Sequence, residues 1–201
     1  MQWLRSGTDD EELFDDADTY VPENLPEPDP FLEGHDVLEG DRHVRVHRTA
    51  RERFEDSGVY DMTFGYNLAK LNRDRRHPDA GFRYAESATD DGELLVSFTP
   101  TTEFCPQGQT LAVGVFRAWN GTDAHEYDLV RVRVNPMHHN SDATNDRLRE
   151  LAREYEAHGR VDVDPTTIPS VPGDTEDLSG VEDSSSSGNE PESNVFGNKT
   201  E

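Results

Sequence analysis

Two stretches of alternating apolar residues, ELLVSFT at 93–99 and LVRVRVN at 129–135, flank a run with helical spacing, and this arrangement restricts the fold more than any other feature. Leu94, Val96 and Phe98 fall on one face of the first stretch. Val130, Val132 and Val134 fall on one face of the second, with Arg131 and Arg133 pointing the other way. Between them Leu111, Val115, Ala118 and Trp119 form the stripe of a buried helix that Asn120-Gly121 ends. A strand, a helix and a strand in that order form a right-handed crossover with the two strands parallel. Just upstream, GFRYAES at 81–87 alternates as well, and Thr89-Asp90-Asp91-Gly92 supplies a turn whose last two residues suit positive φ, so a β-hairpin precedes the crossover. The expected class is α/β (α+β), a small sheet built from a hairpin and a β-α-β crossover.

Two further helices complete the expected unit. Over 42–57, Val46, Ala50 and Phe54 recur every four residues and Gly58 follows as a C-terminal cap. Residues 140–159 carry the stripe Leu148, Leu151, Ala152 and Tyr155, with Ser141 as the expected N-cap and Gly159 as the stop. The segment YDMTFGYNLAKLN has no clean period and reads as turns anchored by Tyr60, Phe64 and Tyr66. The folded unit is therefore expected at 42–159, with three main helices. Residues 1–41 are rich in acids and prolines and read as an extended or disordered arm, in which Trp3, Leu4, Leu13 and Phe14 are the residues able to dock. Residues 160–201, rich in aspartate, serine and proline, read as a disordered acidic tail.

Charge narrows the partners. The 201-residue chain has a formal net charge of −24, and only Lys70 and Lys199 are lysines among its 19 basic residues. That balance repels nucleic acid and anionic membranes, and acid excess with few lysines fits a halophilic protein kept soluble in a salt-rich cytoplasm. Apolar residues make up 32% of the chain, too few for one compact globule of this length. No apolar run is long enough to cross a bilayer, and the first residues have no apolar core of a secretory signal, so the expected location is cytoplasmic.

The single cysteine, Cys105, sits in FTPTTEFCPQGQTL, between a strand and a helix. Pro106 suits the first turn of a helix, and a cysteine at a helix start meets backbone N–H groups and the positive end of the dipole, both of which favour the thiolate. Thr99, Thr101 and Thr102 place hydroxyls nearby. The alternative is a small buried core residue. One thiol cannot hold an iron–sulfur cluster or a structural zinc alone, because each needs about four ligands. His138 and His139 follow the last strand as further candidate ligands, but adjacent histidines on a loop point in different directions.

Taken together, FTPTTEFCP, a helix and VRVRVNPMHHNSDATNDRL resemble the SufT/PaaD-like family of cytosolic iron–sulfur cluster assembly proteins, which includes a targeting-complex subunit. The family pattern is a strand ending in Thr-Pro or Thr-Ser, a reactive Cys-Pro, a helix and a strand, then Pro-x-x-His-x-Ser and an asparagine. Here these fall on Pro136, His139, Ser141 and Asn145, the asparagine one residue early. In the first half Asp61, Gly65, Asn67 and Leu71 match more loosely, with Met62 and Thr63 in place of a proline and a glutamate, and NRDRRHPDA stands as an insertion.

The resemblance implies a non-enzymatic maturation factor in metal–sulfur cluster biosynthesis, with Cys105 as the key thiolate and Thr101 and Asp61 lining a shallow site, supported by Thr102 and His139. It implies transient, shared ligation of an iron–sulfur cluster by Cys105 with no stable cofactor. The implied partners are client apoproteins, other iron–sulfur assembly factors and a possible homodimer. A cluster-free adaptor of the same fold and a cysteine-nucleophile enzyme are the other readings.

Overall fold

The computed structural model describes residues 13–160. In chain order the elements are β1 (Asp36–Val37), α1 (Gly40–Asp56), β2 (Tyr60–Asp61), β3 (Tyr66–Asn67), β4 (Gly81–Glu86), β5 (Glu93–Thr99), α2 (Gly108–Asn120), β6 (Leu129–Val134) and α3 (Ser141–His158). Short 3-10 turns cover Pro22–Asn24 and Leu68–Arg73. The main sheet has the order β1-β4-β5-β6, and β2 and β3 pair separately. β4 and β5 form the expected antiparallel hairpin with Phe82 opposite Phe98, and Gly92 takes its turn at φ +84. β5 and β6 run parallel across α2, as the alternation predicts. The fold is mixed α/β with three main helices.

The helices pack on one face of the sheet. Phe82, Tyr84, Leu94, Val96, Phe98, Val130, Val132 and Val134 join α1, α2 and α3 in a single core, in which Phe54, Phe116, Trp119 and Leu148 have no exposed surface. Helix α1 ends in a Schellman motif. Gly58 takes φ +67, the Val59 N–H reaches the Phe54 carbonyl at 2.8 Å and the Gly58 N–H that of Glu55 at 3.3 Å. Val59 and Phe54 are both buried, the apolar contact that accompanies this cap. Gly159 ends α3 at φ +63 as expected, but Asn140 rather than Ser141 holds the N-cap position, and Ser141 is the first helical residue.

The segment read as an arm is corrected from residue 13 onward. Strands β4 and β5 are buried on both faces, and the second face, carrying Ala85 and Leu95, is covered by Phe31, Leu32 and Val37. Asp29 is buried and pins this cover, accepting from the Ser97 hydroxyl at 2.7 Å and the Phe31 N–H at 3.0 Å. Further back Phe14 is buried edge-on to Tyr66, beneath Lys70 and Arg76. Arginines answer the acids that made the segment look unable to collapse: Arg75 pairs with Asp15 and Arg48 with Asp18. Prolines suit an extended chain crossing a sheet face, where few backbone donors find partners. Residues 1–12, with Trp3 and Leu4, and the expected tail from 161 lie outside the described residues.

Asparagines close the edges of the sheet. On the outer side of β6, the Asn120 amide accepts from the Val130 N–H (2.9 Å) and donates to its carbonyl (2.8 Å), and Asn145 does the same for Val134 at 2.8 and 2.9 Å. On β4, beyond the two residues covered by β1, Asn72 makes the same pair of bonds to Phe82 at 2.7 and 2.9 Å. Each amide replaces the missing neighbour strand for one residue, satisfying a donor and an acceptor that an open edge leaves for another chain. At Asn72 the fit is tight: Gly81 sits at φ +118, and a Cβ there would overlap the Asn72 amide.

Candidate functional site

Cys105 lies in the loop from β5 to α2, half-buried and packed against the edge of the core. The expected helix start is displaced. Gln107 is the N-cap and Gly108 the first helical residue, so Cys105 stands three residues ahead of the helix and Pro106 precedes it. The Cys105 carbonyl accepts the Gly108 N–H at 3.1 Å, while its thiol makes no hydrogen bond among the described residues. The helix end thus engages the Cys105 peptide, and the dipole's influence fades within a turn.

A histidine holds that peptide in place, and it is His138. The buried His138 ring donates from Nε2 to the Cys105 carbonyl at 3.0 Å, and its Nδ1 accepts the Asn140 N–H at 3.2 Å. A Cβ on Gly108 would lie 2.8 Å from His138 Nε2, so only a glycine lets the ring sit over this turn. His139, the histidine matched by the resemblance, is exposed, lies with its ring tilted 5.5 Å from that of Phe104 and donates its backbone N–H to the Glu103 carbonyl at 2.8 Å. The loops 101–107 and 135–140 are therefore joined at two points, and the Asn135 N–H to the Phe98 carbonyl (2.8 Å) adds a third at their base. Adjacent histidines were visible in the sequence; which one turns inward depends on the loop's path.

The other expected residues are not bonded to the thiol. Asp61 is buried, and its Oδ1 accepts the N–H groups of Thr63 (2.7 Å) and Phe64 (3.1 Å), while its carbonyl accepts that of Gly65 (2.7 Å). Its carboxylate builds the β2–β3 turn. Thr101 is half-buried and Thr102 exposed, and neither side chain makes a hydrogen bond among the described residues; the buried Thr99 hydroxyl has no partner. No group of three or more His, Cys, Asp or Glu side chains among the described residues is placed to hold a metal ion.

Exposed apolar side chains lie on the same loops as Cys105 and in the groove beside it. Among the described residues the exposed large hydrophobics are Met62 (77%), Phe104 (72%) and Met137 (41%). Phe104 and Met137 ride on the two joined loops. Met62 lines a groove of about 840 Å³ that also takes in Pro106 and Gln107, next to the cysteine, and runs along α2 to Gly121. Exposed apolar side chains gathered around one loop pair mark a contact surface more often than isolated ones do.

A family model described as Domain of unknown function (DUF7998) matches residues 12–162. The chain belongs to the DUF7998 family. The matched span takes in the segment 13–41 along with the core elements, in keeping with its packing on the sheet. No curated protein and no solved structure matches the chain.

Proposed function

We propose that this DUF7998 member is a cytoplasmic, non-enzymatic iron–sulfur maturation factor that meets client apoproteins through the Cys105 end of the domain. The observation that carries the reading is a half-buried single thiol on one of two joined loops that carry the exposed Phe104 and Met137, with the exposed Met62 lining the groove that takes in Pro106. The strand, Cys-Pro turn, helix and strand around it follow the order of the assembly family that the sequence resembles. The cluster is cargo here. One thiolate is the donor on offer, since both ring nitrogens of His138 bond backbone, so a cluster held at this end takes its remaining ligands from a second molecule.

A cluster-free adaptor is the second reading, and a specific observation favours it: the thiol takes no hydrogen bond among the described residues, and α2 begins three residues later than a helix-start thiolate needs. Activation of a purified apo iron–sulfur enzyme by iron, sulfide and a reducing thiol separates the readings. Wild-type protein is expected to speed activation several-fold, Cys105→Ser to lose the effect, and Phe104→Ser to weaken it. An adaptor retains its effect in Cys105→Ser and loses it in Phe104→Ser. Equal activation with and without the protein overturns both.

A further inference from the structure

The groove beside Cys105 has a feature that client contact does not use. One face of α2 forms its floor, with Thr110, Gly114, Arg117 and Gly121 recurring at helical spacing. Gly114 adds no side chain to the floor, where a Cβ would stand in ordinary contact with Val59 at 3.6 Å. Arg117 has no ion pair or hydrogen bond to its guanidinium among the described residues, and its Nε is sealed from water without a partner. Arg53 and Arg83 share a sealed Nε without a partner, but Arg53 pairs with Asp56 and Arg83 does not line the groove. Arg42, Arg48, Arg76, Arg131, Arg147 and Arg149 each meet at least one carboxylate, as a net charge of −24 makes easy. Arg117 faces a groove whose one acid, Asp123, makes no pair with it.

The geometry points to a binding site for an organic anion with an apolar body, its oxyanion head on Arg117 and its body lying along α2 toward Pro106 and Met62. A guanidinium short of partners beside apolar walls is matched by a carboxylate or phosphate, which it engages through two parallel N–H bonds. From Arg117 to Gln107 is ten residues of helix, about 15 Å, the length of a medium-chain acyl group or a two-ring system. A volume of about 840 Å³ falls within the range of ligand pockets, and its walls offer Val59, Leu111 and Tyr155 to the body. Carboxylate and phosphate heads share this chemistry. Bound there, the ligand's far end lies against the residue after Cys105, so occupancy and client contact compete for the same rim.

Calorimetric titration of the full-length protein with decanoate, decyl phosphate and decanol, in high salt to screen the chain's charge, tests the site. At least one anion is expected to bind about tenfold or more tighter than decanol; which one names the head group. Arg117→Gln keeps the stem and loses the charge, and is expected to weaken the anions about tenfold while leaving decanol unchanged. Thr110→Trp, at an exposed position on the floor, is expected to block all three, and Cys105→Ser to bind as wild type, which separates this site from the thiol's role. Decanol binding as tightly as both anions, anion affinity unchanged in Arg117→Gln, binding intact in Thr110→Trp, or no heat with any probe each overturns the assignment.

Discussion

Acidification from pH 7 to pH 4 is expected to cost the protein several kcal/mol, because two buried histidines must remain uncharged in the folded state. His43 and His47 lie four residues apart on α1, both under 6% exposed, with their rings stacked at 5.8 Å. Burial pushes His43 down to about 3, helped by the nearby positive charges of His47 and Arg83. Burial likewise takes His47 down to about 4, against the partial support of a bond to the Ala69 carbonyl. The sign follows from the ordinary value of 6.5. Below it the unfolded chain binds protons that the folded chain refuses, so stability is complete above pH 6.5 and falls as pH drops toward about 4 and then 3. The slope approaches about 1.4 kcal/mol per pH unit for each histidine, and native stabilities of about 5–15 kcal/mol leave little reserve against two of them. His43 is the place to test it. Its Nδ1 has no well-aligned partner, the Leu38 backbone giving the charged form only slight support, and its Nε2 has one long contact, 3.4 Å to Asn72, so His43→Phe removes the titration and breaks no strong hydrogen bond. Urea unfolding at several pH values is expected to give a slope about half as steep in that variant. A stability flat between pH 7 and 4.5, or an unchanged slope in His43→Phe, contradicts this account.

The second large effect concerns the open side of β6. Asn120 is 4% exposed and supplies both bonds that Val130 lacks a strand to make, so Asn120→Ala leaves a buried donor and a buried acceptor unpaired. Each such group costs about 1–3 kcal/mol, and a loss of about 3 kcal/mol is expected in urea unfolding. Asn145→Ala, at a half-buried position, is expected to cost about 1–2 kcal/mol for the same reason. The double variant exposes two residues of strand edge and is expected to self-associate more than wild type in size-exclusion chromatography. If Asn120→Ala unfolds within about 0.5 kcal/mol of wild type, its amide is not replacing a strand.

These two effects also mark the boundary of what the sequence reveals. The hairpin, the crossover and α3 were legible because Phe82, Tyr84, Val96 and Val132 alternate and Leu148 and Leu151 recur with local periods that no distant contact has to supply. The cover over the second sheet face was not. Phe31, Leu32 and Val37 are isolated among prolines and acids, and their burial depends on a sheet face that exists only after β4 and β5 pair. Asn120 read as a helix terminator, and Asn145 matched a family position; their shared pairing with β6 follows from tertiary register. The place of Cys105 between β5 and α2, and the loop after β6, were legible in the sequence. The choice of His138 over His139, and the three residues between Cys105 and α2, depend on how Pro106 and Gly108 turn the chain, which residue spacing does not encode.

The central claim is that Cys105 is a point of cargo handover rather than a packing residue. Anaerobic reconstitution with iron and sulfide, followed by visible absorbance and mass in solution, tests it most directly on wild type beside Cys105→Ser. The account predicts absorbance that depends on Cys105 and appears together with a dimer, or with a small-thiol adduct, because one chain offers one thiolate. Absorbance that is equal in Cys105→Ser, or absent from both proteins, contradicts it.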